Sequence, residues 1–350
     1  MDKPITDFSQ VTPQWLTERL RLSGRLQDAE VVNATIRPSR SSAVVRIEVQ
    51  YSDRVRQLPK RFYLKVGGAD ECVEREAEFL RDMASLMDDP PTVPWYDVAY
   101  DPERDRAHIL SKNMSRTHHH GNWTIGPTLR EQTEQFVDAM ARVHAHWWDH
   151  PRLGSDFGDF PKEDNVLFFH GASGYERCLA RVIETAGDRI TVQQRSIYER
   201  ALASYPFRDL QGRTRLAPGN RLTVIHGDVL PDNVLVPRRI GAHGTLLIDW
   251  AFWEVRVGTD DIANLGLYGF CDPAAGLASE ILRRYYDGLV KHGVRGYRWE
   301  DCWHDFRLST IRNLFIPVNA FSDNQYYWTL LRRSLLNFDD LSCAELLNAT

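Results

Sequence analysis

Residues 224–236 read VIHGDVLPDNVLV, and residues 246–250 read LLIDW. In both stretches a short run of Val, Leu and Ile delivers the chain to a narrow set of polar residues: His226-Gly227-Asp228, then Asn233, then Asp249. Apolar runs this short, broken by Gly, Asp, Pro and Asn, read as buried strands near 222–226, 233–237 and 245–249. Aspartate favours strand-end turns for conformational reasons alone. An asparagine at a fixed offset from the first aspartate is not something that turn preference requires.

Phosphoryl transfer asks a protein for little covalent chemistry. It needs magnesium held by oxygen ligands and a group that takes the proton of the attacking hydroxyl. The spacing H-G-D-x-x-x-x-N offers both. Asp228 emerges from an apolar strand as the candidate base, and Asn233 can turn its amide oxygen back toward the same point. Asp249, at the end of TLLID, is the candidate carboxylate ligand, so one base and two metal ligands are expected to converge.

Toward the N-terminus, VTPQWLTERLRLS at 11–23 has the apolar spacing of a short helix. Extended segments follow at 30–37, 43–51 and 61–66. In the last of these Phe62, Leu64 and Val66 alternate with Arg61, Tyr63 and Lys65, so Lys65 points away from the apolar face. Residues 72–87 switch to a helical stripe, with Glu76 on its flank beside Phe79 and Met83, and strands are expected at 95–100 and 106–111. Beyond Asn113 the pattern is helical: a stripe of Phe136, Val137, Met140, Val143 and Trp147 within 129–148, a loop at 152–165, a helix pair over 172–204, and helix again over 275–348. This order predicts an α+β chain, with a strand-rich N-terminal lobe over 1–112 and a mostly helical C-terminal lobe over 113–350.

Composition excludes several classes. The chain of 350 residues has a net charge of −5 and no Lys/Arg block, which argues against nucleic acid as a partner. Its apolar runs are too short for a membrane helix, and MDKPITDFSQ lacks the apolar core of a signal peptide, so a cytosolic protein is expected. Five scattered cysteines without a Cys-x-x-Cys pair read as reduced thiols, and His118-His119-His120 reads as a solvated loop rather than a metal site.

The residues HGDVLPDN at 226–233, IDW at 248–250 and GTDDIA at 258–263 resemble motifs of the aminoglycoside phosphotransferase and choline-kinase-like superfamily, small-molecule relatives of the protein kinases. The likeness to its ecdysteroid-kinase-like, or CHK-type, branch includes VTPQWLTERL, MARVHAHWWDHPRL at 140–153 and ILRRYYDGLVKHGV at 281–294. This resemblance implies a bilobal protein-kinase-like fold, an N-terminal antiparallel sheet plus helix, and ATP or GTP as co-substrate with magnesium. It implies that Lys65 holds the nucleotide's phosphates, that Glu76 pairs with Lys65, and that Asp261 braces the catalytic loop. It places backbone groups of 110–114, including Lys112 and Met114, at the nucleotide base, and Ser41 and Ser42 over the phosphates. His226 is read as structural, bonded to nearby backbone. Two features depart from the family: the acidic pair usual at 110–114 is absent, and PSRSS at 38–42 has no glycine.

A protein kinase needs a long activation segment closed by Ala-Pro-Glu. Eleven residues separate Asp249 from Asp261 and no Ala-Pro-Glu follows, so the expected acceptor is a hydroxyl of a small molecule. The second half is rich in aromatics, among them Trp250, Phe252, Trp253, Tyr268, Phe270, Tyr285, Tyr326, Tyr327 and Trp328, while its acidic residues are dispersed. That favours an apolar or mixed hydroxylated alcohol. The rival readings are a catalytically silent kinase-fold binding protein, supported by the glycine-free loop, and a choline- or aminoglycoside-type kinase with a cationic acceptor. Asp232 and Asp260 read as turn residues, and His144 and His146 as packing or surface residues.

Overall fold

The computed structural model describes residues 3–39, 41–53, 58–68, 70, 72–121, 128–162, 171–205, 207–239, 244–268 and 277–347. Arg40, residues 163–165, Phe270, Cys271 and residue 348 lie outside them. Two compact units emerge, Met1–Gly121 with Asp232–Trp253, and Asn122–Pro231 with Glu254–Thr350. The first unit thus takes in residues 232–253, which a single division at 112/113 assigns to the other part.

The first unit is built on an antiparallel sheet of β1 (Val31–Pro38), β2 (Val44–Tyr51), β3 (Arg61–Gly67), β5 (Arg106–Lys112) and β4 (Trp95–Asp101), in that order. Alternation in β3 buries Phe62, Leu64 and Val66, which join Ile47, Val49 and Leu110 in one core. Helix α1 (Pro13–Leu22) contributes Leu16 and Leu20 to that core. Its start is fixed by Pro13 and by the Thr12 side chain, which accepts the Trp15 amide. Tyr63 and Lys65 therefore point to the other face, and α2 (Val73–Glu78) packs against β3, β4 and β5.

One continuous helix over 72–87 is not what forms. After Glu78 the chain widens to a π-type turn at Phe79–Met83 and tightens to a 3-10 turn at Ala84–Leu86. The wide turn buries Phe79, Leu80 and Met83 together. A small sheet of β6 (His118–His120), β8 (Val234–Pro237) and β9 (Leu246–Leu247) completes the unit. The histidine tract is thus a strand rather than a solvated loop. Its His118 ring is buried, 2.8 Å from Thr117 Oγ1 and 3.0 Å from the Gly244 carbonyl.

In the second unit β7 (Thr223–Ile225) pairs antiparallel with β10 (Glu254–Arg256). Around them are α3 (Thr128–His146), α4 (Gly171–Ala186), α5 (Val192–Ala203), α6 (Thr259–Tyr268), α7 (Leu277–Lys291), α8 (Trp299–Arg312), the short α9 (Ile316–Asn319) and α10 (Gln325–Asp340). Helix α3 packs against α7 and β7, and α6 against α8 and α10. The Phe136, Val137, Met140, Val143 and Trp147 stripe is fully buried. Among the described residues no helix is long and apolar enough to cross a membrane.

Candidate active site

In the first unit, Lys65 Nζ donates to Glu76 Oε2 at 2.6 Å and to Asp249 Oδ1 at 2.7 Å, and the Asp249 amide donates to Glu76 Oε1 at 3.1 Å. One lysine from β3, one glutamate from α2 and one aspartate that follows β9 therefore form a closed set. Helix α2 is fastened beside Asp249 in two ways. The Trp253 indole donates to the Arg75 carbonyl at 3.0 Å while the Arg75 guanidinium donates to the Trp253 carbonyl at 2.6 Å, and Trp250 stacks on Phe79. Burial alone would depress the Lys65 ammonium; the carboxylates of Glu76 and Asp249 outweigh it and hold it above the ordinary lysine range.

Asp249 has a left-handed backbone, φ 64°, a conformation that costs most side chains energy but that Asp and Asn tolerate. Residues in such regions cluster at functional sites. The strand register Val234↔Leu247 and the bond from the Ile248 amide to the Asn233 carbonyl at 3.0 Å set Asn233 and Asp249 at the same end of the β8–β9 hairpin. Asn233 is buried, whereas the Asp249 side chain is 41% exposed, with Lys65 bound to Oδ1. An amide oxygen and a carboxylate oxygen are hard donors. Magnesium is commonly held by one or two such groups, with phosphate oxygens and water completing its shell, so this donor set fits. Among the described residues there is no cluster of three or more His, Cys, Asp or Glu side chains that could hold a metal.

In the second unit the loop after β7 is pinned from behind. Asp261, fully buried in the first turn of α6, accepts the His226 amide at 2.7 Å on Oδ2 and the Gly227 amide at 3.0 Å on Oδ1. Gly227 has φ 79°, a left-handed turn that suits glycine and brings the half-buried Asp228 out of the strand. The Asp228 amide faces His226 Nδ1 at 3.3 Å, and the Leu230 amide donates to the Asp228 carbonyl at 2.8 Å.

The remaining candidates are placed as follows. Ser41 closes the β1–β2 turn: its hydroxyl accepts the Ala43 amide at 3.2 Å, and its carbonyl accepts the Val44 amide at 3.3 Å. Ser42, in the same turn, is exposed. The Lys112 amide donates to the Pro94 carbonyl at 2.8 Å, and the Met114 carbonyl accepts the Thr117 and His118 amides, each at 2.9 Å. Asp232 is exposed in a 3-10 turn, and its carbonyl accepts from His120 at 2.7 Å.

Asp260 is not a turn residue. It is buried in α6 between Arg256 at 3.1 Å, Ser309 at 2.6 Å and Arg312, partners that no local pattern in the sequence announces. Of the aromatics, Trp250, Trp253 and Tyr285 are core. Tyr268 and Tyr326 have hydroxyls pushed up mainly by burial, then by neighbouring tyrosines and the negative charge of Asp228. Tyr326 is 54% exposed, and its ring lies edge-on to Tyr327 at 5.3 Å. Proximity in sequence could not select these two from the other aromatics.

No protein-family model and no curated protein matches the chain. Solved structures do. An aminoglycoside phosphotransferase from Alicyclobacillus acidocaldarius superposes with a TM-score of 0.55 at 14% identity, covering 97% of this chain and 96% of its own. A choline kinase from Cryptosporidium parvum gives 0.51 at 12% identity over 96% and 98%. A macrolide 2'-phosphotransferase from Brachybacterium faecium gives 0.50 at 14% identity over 90% and 96%. The chain has the kinase-like phosphotransferase fold that these aminoglycoside, choline and macrolide enzymes share.

Proposed function

We propose that the chain is an ATP- or GTP-dependent phosphotransferase acting on a hydroxyl of a small molecule. The observation that carries this reading is the closed set of Lys65, Glu76 and Asp249 in a chain with a phosphotransferase fold. Lys65 holds the phosphates, and Glu76 keeps its ammonium in place. Asp228 takes the acceptor's proton as its oxygen bonds to the terminal phosphorus, and the bond to the departing nucleoside diphosphate breaks. Asn233 and Asp249 are the residues that would hold magnesium, which when bound would offset charge on the phosphates. Ser41 and Ser42 would lie over the phosphates, and the backbone near Lys112 and Met114 at the base.

For the acceptor we favour a neutral or mixed hydroxylated alcohol beside Tyr268 and Tyr326. The solved relatives act, by name, on aminoglycosides, choline and macrolides. A cationic acceptor calls for available carboxylates, and Asp301 and Asp305 are instead buried in arginine pairs. The silent-relative reading keeps one supporting feature, the glycine-free turn at 38–42.

The test is turnover of ATP and GTP with a panel of hydroxylated compounds. Asp228→Ala should slow transfer by about 10²- to 10⁴-fold while nucleotide still binds. Asp249→Ala should abolish magnesium-dependent thermal stabilisation by nucleotide. Parental turnover in Asp228→Ala would remove Asp228 from the chemistry, and a parent that neither turns over nor responds to magnesium with nucleotide would favour the silent relative.

A further inference from the structure

The hydrogen bonds around Asp261 continue beyond the loop. Asp261 Oδ2 also meets Nε2 of His144 at 3.4 Å, and Nδ1 of the same ring meets the Tyr285 hydroxyl at 2.8 Å. All three side chains are fully buried, and they come from three helices: Tyr285 from α7, His144 from the last turn of α3, Asp261 from α6. A carboxylate only accepts, so Nε2 is the donor toward Asp261; Nδ1 then accepts, and the Tyr285 hydroxyl donates to it. The polarity runs one way, from the Tyr285 hydroxyl through the imidazole to the oxygen that also takes the His226 amide.

Two further contacts fix this line. The Thr223 hydroxyl donates to the His144 carbonyl at 2.8 Å, which ties the end of α3 to the strand that leads into His226. Gly258 leaves room for the pair: a Cβ there would collide with the Tyr285 hydroxyl and come within 2.8 Å of His144 Nδ1. A carboxylate gripped only by two adjacent amides can rock about the line joining them, and a third donor from the side sets its plane. Buried networks of this kind rigidify when every member is satisfied.

We propose that His144 and Tyr285 are positioning residues that set the orientation of the Asp261 carboxylate, and through the His226 and Gly227 backbone the aim of Asp228. The inference rests on the reading of Asp228 as the base.

The experiment uses the intact chain as parent, His144→Leu, His144→Gln and Tyr285→Phe. Amide hydrogen exchange at His226 and Gly227 is measured beside magnesium-dependent ATP turnover. Exchange at both amides should rise roughly tenfold in His144→Leu and Tyr285→Phe. It should rise less in His144→Gln, which keeps a donor toward Asp261. Turnover should fall about ten- to a hundredfold with the nucleotide KM nearly unchanged, the signature of a misaimed group rather than a lost binding contact. Parental exchange at both amides in His144→Leu and Tyr285→Phe overturns the proposal. If His144→Leu does not fold, Tyr285→Phe, which differs from the parent by one oxygen, decides alone. Faster exchange in a parent series that shows no ATP turnover keeps the positioning chain and rejects the role of Asp228.

Discussion

Trp250 lies flat on Phe79, with ring centroids 3.8 Å apart and planes 9° from parallel. Both rings are fully buried, one directly after Asp249 and the other three residues beyond Glu76. The stack thus couples the two carboxylates that hold Lys65 through apolar contact. Trp250→Ala should cost about 3–5 kcal/mol, as large-to-small changes of buried aromatics do, and Trp250→Phe much less. Urea unfolding measures both. A loss below about 1 kcal/mol for Trp250→Ala would mean that the stack adds little.

Lys65→Met leaves Glu76 buried without its cation, at a cost of about 1–3 kcal/mol, and Glu76→Gln in the same chain should recover part of that. The Lys65 ammonium is held above its usual range, so the pair's contribution is fully present below the unfolded lysine value near about 10.4 and is lost as pH rises past it. The stability difference between parent and Lys65→Met should therefore be flat from about pH 6 to 9 and shrink in stronger base. A difference that held or grew in stronger base would contradict the assignment.

Asp301 sits between Arg298 at 3.2 Å and Arg221 at 3.1 Å, with Gln211 at 3.3 Å. Burial would raise its carboxyl, and the hydrogen bonds from Arg298, Arg221 and Gln211 prevail and hold it well below the ordinary carboxylate range. Its folded value lies below the unfolded one, so this stability is present above about pH 4 and lost as pH falls further. Asp301→Asn should be less stable than the parent at neutral pH and lose less on acidification. Parallel acid curves for the two proteins would refute the linkage.

Cys302 and Cys343 are buried, and burial pushes the Cys343 thiol up to about 12. At pH 8 its thiolate fraction is about one in ten thousand, before access is counted. Iodoacetamide on the native chain should modify Cys72 and Cys178, which are partly exposed, and reach Cys302 and Cys343 only on unfolding. Equal labelling of Cys343 and Cys72 in the folded protein would show that the C-terminal packing around α8 opens.

What the sequence revealed, and what it hid, follow from the range of the signals. The alternation of Phe62, Leu64 and Val66 marks β3 and the outward side of Lys65, because strand periodicity is a property of a few adjacent residues. The Phe136 to Trp147 stripe marks α3 for the same reason. By contrast, β10 is three residues long and β6 consists of three histidines, so neither has a pattern to read. The π-type turn after Glu78 escapes because apolar spacing does not report the width of a helical turn. The partners of Asp260 and His144, Arg312 and Tyr285, stand 52 and 141 residues away, beyond the reach of a local pattern. Buried polar networks are long-range choices, and local composition cannot announce them.

The left-handed backbone at position 249 has an evolutionary corollary. Aspartate, asparagine and glycine tolerate that conformation better than other residues, and each of the latter two is one nucleotide change away from an aspartate codon. A descendant could lose the carboxylate there while its main chain stays relaxed. On the proposed reading of Asp249 as a magnesium ligand, that loss would remove the ligand without passing through misfolding.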